Sequence, residues 1–251
     1  MENRRAPDRG APTYVLTADF GTGGVKVGVV DRSSTLVAVT VENYPLSRPA
    51  PMYAEQRPGD WWSAFIRAVA DLRVRVPDLA ERIGAIAFSA QMCGVVCVDA
   101  SGHPLRPAII WLDQRAADIT RSVVGGFPEA FGYNIPKAIA WLAIANGGPP
   151  RNGMDPPSKM VWVREHEPEI WAATAKILDV RDWLVHRAAG RFVTTADSAN
   201  LTWLMDTRQG HEGWSERLCR MIGVPRDLMP EIVDGSDVVG GLTAQAAAEL
   251  D

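Results

Sequence analysis

Three short apolar segments open the chain, and each has the composition of a β-strand. They cover residues 14–20, 25–30 and 36–41. In the second segment Val25, Val27 and Val29 fall on one face and Lys26 on the other, because side chains alternate along a strand. Short turns at 21–24 and 31–34 separate the segments. Strands joined by such turns predict an antiparallel meander.

The apolar period then changes from two to about 3.6 residues, which is typical of a helix. Trp61, Phe65 and Leu72 follow this spacing after a Pro58 start signal. Residues 83–89 form a short apolar run that predicts a buried strand, and 95–99 predict another. The remainder is mainly helical, with a Pro/Gly break at 147–150 that we interpret as a loop or insertion. The order of elements predicts an α/β fold with a mixed sheet flanked by helices.

Composition restricts the partners and the compartment. The net charge of the 251-residue chain is −4 with both signs interspersed, which gives no reason to expect nucleic acid or a membrane as partner. The three cysteines are too few for a disulfide framework and indicate a cytoplasmic protein with reduced thiols. Residues 1–12 are polar, lack a signal-peptide core and are expected to form a disordered leader.

The turn between the first two strands holds the most informative chemistry. Glycines such as Gly21 and Gly23 let backbone N–H groups face an anion without a Cβ in the way. Thr22 adds a hydroxyl, Lys26 a positive charge, and Asp19 a carboxylate that could hold Mg²⁺ through water. The same residues also fit a plain glycine-rich hairpin. The pattern alone leaves both interpretations open.

Several segments resemble the FGGY family of carbohydrate kinases. Asp-x-Gly-Thr-x-x-x-Lys at 19–26 is similar to the first phosphate loop of actin-like sugar kinases. Residues 53–62, 89–94, 107–115 and 159–169 resemble further segments of the family, in the family's order. Together they run from about residue 14 to 250 and are most similar to xylulokinases. The resemblance implies an actin-like (ribonuclease H-like) fold, with ATP and Mg²⁺ as cofactors.

The resemblance also implies a sugar pocket, lined by Gln91, Met92, Cys93, Trp111 and Asp113. Side-chain acceptors and donors suit sugar hydroxyls, and an aromatic wall suits the C–H face. Arg115, two residues on, could also line this pocket or could simply pair with Asp113. Cys93 stands where xylulokinases carry His, and a thiol bonds hydroxyls weakly. We therefore expect a ketose or polyol and question D-xylulose itself. Residues 135–157 are longer than in short xylulokinases and are expected to reshape the pocket rim.

In the family the general base is an aspartate in a segment that the resemblance places beyond Asp251. Residues 13–251 are thus expected to form an amino-terminal domain, without the carboxy-terminal ATP domain, that is inactive alone. Expected partners are a sugar or polyol, ATP, the protein's own carboxy-terminal domain and, in a homodimer, a second copy. The alternatives are a non-catalytic actin-like domain that binds nucleotide or sugar, and an interaction domain with a tryptophan-rich surface.

Other residues that invite a functional interpretation have simpler ones. Asp182 and Asp197 fit helix N-caps. Most of the nine tryptophans, including Trp61, Trp62, Trp183 and Trp214, are expected to pack internally. The histidines lie in polar surroundings and are expected on the surface.

Overall fold

A four-stranded mixed sheet organises the first part of the chain in a computed structural model that describes residues 13–250. Its strands lie in the order Leu36–Asn43 (β3), Gly24–Asp31 (β2), Tyr14–Phe20 (β1) and Ile83–Ala90 (β5). The predicted leader, residues 1–12, lies outside the described residues. The other strands are β4 (Glu55–Gln56), β6 (Val96–Val98), β7 (Ala108–Ile109), β8 (Glu129–Ala130), β9 (Tyr133–Asn134), β10 (Lys176–Leu178), β11 (Val193–Thr195), β12 (Met205–Asp206), β13 (Gly213–Trp214) and β14 (Glu231–Val233).

The first three strands form the antiparallel meander expected from their short turns. β1 pairs with β2 from Tyr14 opposite Asp31 to Phe20 opposite Val25. Val25, Val27 and Val29 are all fully buried, as the alternation of β2 predicts. The predicted fold class, with an antiparallel beginning and a parallel fourth strand, is confirmed.

Strand β5 differs from its prediction. Its apolar run indicates a buried strand, yet none of its residues is buried. It pairs with β1 in parallel and has no second neighbour within residues 13–250. Its small residues Gly84, Ala85 and Ala87 are exposed. An apolar run alone cannot distinguish such an edge strand from a central one.

Helix α1 (Pro58–Arg75) covers one face of this sheet. Proline at its first position fits the helix start, and Arg73 and Arg75 complement the dipole in its last turn. Within residues 13–250 no helix is long and apolar enough to cross a bilayer. The other helices are α2 (Leu79–Arg82), α3 (Ala117–Val124), α4 (Ile135–Ala145), α5 (Pro156–His166), α6 (Pro168–Ala173), α7 (Val180–Ala189), α8 (Ala196–Leu201), α9 (Glu216–Ile222) and α10 (Ala244–Leu250), with a 3-10 turn at Arg226–Leu228.

Two hydrophobic clusters meet at β6. The first joins the sheet to α1 and α7, and the second surrounds α4, α5 and α9. Val96 and Val98 belong to the first cluster, whereas Val95 and Cys97 belong to the second. Successive residues therefore anchor β6 in both clusters. The loops that precede β6 and follow β7 lie at this junction.

Candidate functional site

The glycine turn between β1 and β2 is open on its outer side. Gly21 N–H donates to the Gly24 carbonyl at 2.9 Å and closes the turn. A Cβ at Gly23 would meet no atom within 4 Å, whereas one at Gly24 would lie 2.6 Å from the Glu42 carbonyl oxygen. Gly24 is thus required by packing against β3. Gly21 and Gly23 are exposed and leave room for a ligand beside the backbone.

Two opposite charges flank this turn. Asp19 and Lys26 are cross-strand partners, and both are exposed. The Tyr44 hydroxyl donates to the Gly21 carbonyl, and burial together with the charge of Asp19 raises the pKa of Tyr44. Residues 13–250 contain no group of three or more His, Cys, Asp or Glu that could hold a metal ion. A single exposed carboxylate such as that of Asp19 is compatible with Mg²⁺, which keeps several waters.

The buried Gln56 amide joins the glycine turn to Gln91, in the predicted sugar-binding segment 89–94. Its Nε2 donates to the Thr22 carbonyl at 2.7 Å. Its Oε1 accepts from Gln91 Nε2 at 2.6 Å and from Trp61 Nε1 at 3.2 Å. A second link is direct, because Trp111 Nε1 donates to Thr22 Oγ1 at 3.0 Å. The structure therefore brings Thr22, Gln91 and Trp111 into one site.

Four of the predicted sugar residues lie at this site in accessible positions. Trp111 is 37% and Met92 55% exposed, whereas Cys93 and Gln91 are half-buried. Gln91 Oε1 is buried and accepts no hydrogen bond from the described part of the chain. Because buried polar atoms are normally paired, this oxygen is a candidate acceptor for a ligand hydroxyl. The remaining predicted residue, Asp113, is not accessible.

Asp113 is fully buried and its carboxylate is occupied by protein donors. Arg115 donates from Nε to Oδ1 at 2.9 Å and from Nη2 to Oδ2 at 2.7 Å. Oδ2 also accepts from the Ala54 N–H at 2.6 Å. Arg115 in turn lies 2.8 Å from Glu55 and stacks over the Tyr53 ring. In this geometry Asp113 offers no carboxylate oxygen to a sugar, and the ion pair was the alternative that the two-residue spacing left open.

The sequence indicated no role for Lys159, whose side chain is fully buried beside the loop that precedes β6. Its ammonium donates to the Cys93 carbonyl at 3.0 Å and to the Ile110 carbonyl at 2.9 Å. The first eight residues of α5 are all buried, so no amphipathic face marks this lysine as unusual. The signal that was present is the lysine itself, next to the apolar Met160 and Val161.

Two aspartates expected as helix N-caps take other positions. The N-cap of α7 is Asp179, and Asp182 lies at the third helical position, where it accepts from the Asp179 N–H at 3.1 Å. Burial and the charge of Asp179 raise the pKa of Asp182. Asp197 lies in the first turn of α8, after the N-cap Thr195, and pairs with Arg181 at 3.1 Å.

Most tryptophans pack inside the protein, as expected, and this weakens the hypothesis of a tryptophan-rich interaction surface. The buried ones are Trp61, Trp62, Trp141, Trp162 and Trp183. Trp214 is half-buried and donates to the Pro230 carbonyl at 2.6 Å. His186 was expected on the surface, but it is half-buried and stacks on Phe192 with ring centroids 4.1 Å apart.

The long segment 135–157 forms α4, the loop that follows it and the first two residues of α5. Asn134 caps the helix by accepting from the Lys137 N–H at 3.0 Å, and Trp141 Nε1 donates to the Trp203 carbonyl at 3.0 Å. Asp155, near the end of the segment, accepts from Trp203 Nε1 at 3.0 Å. A role for this segment at the pocket rim remains a prediction.

Comparison with known proteins identifies relatives along nearly the whole chain. A family model described as "FGGY family of carbohydrate kinases, N-terminal domain" matches residues 14–250. The xylulose kinase of Bacillus subtilis (strain 168) is 34% identical over 238 residues, covering 94% of this chain and 44% of that enzyme. The xylulose kinase of Escherichia coli (strain K12) is 31% identical over 230 residues, with 91% and 44% covered. The crystal structure of xylulose kinase from Rhodospirillum rubrum matches with a TM-score of 0.82 at 26% identity, covering 94% of this chain and 46% of that one.

These matches confirm the expected family resemblance and the actin-like fold class. The chain spans less than half the length of the relatives that it matches.

Proposed function

Because this chain belongs to the FGGY family of carbohydrate kinases, we propose that it is the sugar-binding and first phosphate-binding domain of a kinase. The proposed kinase transfers the γ-phosphate of ATP to a hydroxyl of a ketose or polyol. The observation that carries this proposal is the hydrogen bond of 3.0 Å between Trp111 and Thr22. It joins an exposed aromatic ring to an open glycine turn. Phosphoryl transfer depends on such alignment of acceptor and phosphate.

At the glycine turn the proposed ligand is MgATP, which supplies the phosphoryl group and an ion that neutralises its charge. The exposed backbone around Gly21 and Gly23, together with the Thr22 hydroxyl, would receive phosphate oxygens. Lys26 would neutralise negative charge, and Asp19 would hold the ion through water. The open space beside Gly23 and the exposure of Asp19 and Lys26 support this assignment.

At the proposed sugar pocket we assign four contacts. Trp111 would cover the C–H face of the substrate, and Gln91 Oε1 would accept a hydroxyl. Met92 and Cys93 would form the edge of the pocket. The weak hydrogen bonding of the Cys93 thiol favours a ketose or polyol other than D-xylulose. Asp113, locked to Arg115, would hold the shape of the loop instead of contacting the sugar.

We further propose that the general base and the adenine site belong to a carboxy-terminal domain. Asp113 cannot act as base in this geometry, because it is buried and bonded to Arg115. The matched relatives are more than twice as long as the matched segment, which leaves room for such a domain. A cytoplasmic location and a homodimer remain predictions.

A thermal-shift panel of ketoses, polyols and MgATP on this chain tests the binding roles, since a ligand of the native state raises its stability. We expect at least one ketose or polyol to raise the melting temperature. Trp111→Ala should weaken its affinity about tenfold, equivalent to about 1.4 kcal/mol. Trp171→Ala, at a half-buried tryptophan on α6, is the matched control and should retain the affinity. No shift with any sugar would contradict the proposed sugar site.

A further inference from the structure

The Lys159 ammonium lies between the two loops that carry the proposed sugar contacts. It reaches the Cys93 carbonyl at 3.0 Å in the loop before β6 and the Ile110 carbonyl at 2.9 Å in the loop after β7. The Ile110 carbonyl also accepts from the Asp113 N–H at 3.1 Å, which closes the turn containing Trp111. One buried side chain therefore holds the backbone on both sides of the pocket.

The first of these loops adopts a backbone conformation that needs support. Cys93 has a φ of 61°, in the left-handed region that a residue with a Cβ rarely adopts. Conformations of this kind persist where the surrounding structure holds them. On its other side the loop is held by α7, because the Gly94 N–H donates to Asp179 Oδ1 at 2.8 Å. A Cβ at Gly94 would lie 2.8 Å from Val180 Cγ2.

Burying a lysine ammonium costs desolvation free energy, and the groups around Lys159 offset that cost only in part. Burial lowers the pKa of Lys159 to about 8, while the Cys93 thiol and the carboxyl groups of Asp113, Asp155 and Asp179 act in the opposite direction. An apolar side chain would avoid this penalty, but it could not satisfy the two carbonyl groups.

We propose that Lys159 is a positioning residue that fixes the Met92–Cys93 loop relative to Trp111. It thereby sets the shape of the sugar pocket without contacting the sugar. The consequence for sugar affinity rests on the proposed function, whereas the ordering of the loop does not.

The cysteines of the chain provide a readout that needs no ligand. Cys93 is half-buried, while Cys97 and Cys219 are buried. The rate at which iodoacetamide labels each thiol, mapped by peptide mass spectrometry, therefore reports on the Cys93 loop separately from global unfolding. Burial raises the pKa of the Cys93 thiol to about 11, and the positive charge of Lys159 opposes this rise. Losing that charge by itself slows labelling, so acceleration would indicate release of the loop.

The test compares Lys159→Met with Lys176→Met. Lys176 also donates to two carbonyls, those of Asp227 at 2.6 Å and Met229 at 3.1 Å, but it lies on β10. We expect Lys159→Met to accelerate Cys93 labelling about tenfold, equivalent to about 1.4 kcal/mol of loop opening. Lys176→Met should leave the Cys93 rate unchanged. Lys159→Gln keeps a hydrogen-bond donor, but its side chain is too short to reach both carbonyl groups. We expect the same acceleration from it. It replaces Lys159→Met if that variant fails to fold.

Unchanged Cys93 labelling in a folded Lys159 variant would overturn the proposal, as would equal acceleration in Lys176→Met. Acceleration confined to Cys93, with a weaker sugar-induced thermal shift, supports it. If Cys93 labelling accelerates but the wild-type chain binds no sugar, the positioning role of Lys159 is supported and the proposed sugar site is rejected. The failure of one proposal can therefore be distinguished from the failure of the other.

Discussion

Among single residues, Lys159 makes the free energy of unfolding depend on pH in the alkaline range. Its pKa is about 8 in the folded chain and 10.5 in the ordinary exposed state. Between these values the unfolded chain binds more protons, so the free energy of unfolding rises with pH. We expect the difference between wild type and Lys159→Met to shift in favour of wild type by at most about 3 kcal/mol between pH 8 and 10.5. Urea unfolding at both pH values measures it, and a constant difference would contradict a desolvated ammonium.

Gly23, in the turn, and Gly24, the first residue of β2, should respond differently to substitution by alanine. Gly24→Ala places a Cβ 2.6 Å from the Glu42 carbonyl oxygen, and we expect a loss of about 1–3 kcal/mol from overpacking. Gly23→Ala meets no atom within 4 Å and should change stability by less than about 1 kcal/mol. Thermal or urea unfolding of both variants checks this. Equal losses would show that the turn, and not contact with β3, selects Gly24.

Single residues could be predicted from the sequence where strand alternation governs their side, but not where two partners compete for one side chain. The alternation of Val25, Val27 and Lys26 follows from strand geometry alone. Asp113 had two candidate partners, a sugar hydroxyl and Arg115, and sequence carries no distance that chooses between them. Lys159 was missed because a lysine in a helix is expected at the surface.

At the scale of elements, the start of α7 is a distinct stabilising feature. Asp179 accepts from the Val180 N–H at 2.7 Å and from the Gly94 N–H at 2.8 Å. We expect Asp179→Ala to cost about 1–2 kcal/mol, the range of a lost N-cap. Asp197→Ala, which removes a largely exposed partner of Arg181, should cost less than about 1 kcal/mol. Urea unfolding separates them, and equal costs would argue against a stabilising N-cap at Asp179.

Elements with a clear period were predictable, and those defined by their neighbours were not. The spacing of Trp61, Phe65 and Leu72 is sufficient by itself to indicate α1. β5 was expected to be buried because its residues are apolar, but its burial depends on which strands lie beside it. Helix α5 shows no amphipathic period, since residues on every side of its first turns are buried.

For the whole molecule, the proposed site predicts binding without turnover. The chain holds the glycine turn and the proposed sugar pocket, while Asp113, the acidic residue among the predicted sugar contacts, is bonded to Arg115. We expect no ADP release above background when the chain is mixed with MgATP and any ketose or polyol that it binds. An enzyme-coupled ADP assay measures this. A turnover in the ordinary range of about 1–10³ per second would contradict the assignment of the base to another domain.

The orientation of the Gln56 side-chain amide aligns the glycine turn with the segment that carries Gln91. Its nitrogen faces the Thr22 carbonyl, and its oxygen faces the Gln91 and Trp61 donors. A carboxylate of the same shape would set an oxygen against the Thr22 carbonyl oxygen, and the two would repel. Volume-conserving changes at this position are therefore not conservative. What the site requires there is a side chain with a donor at one end and an acceptor at the other.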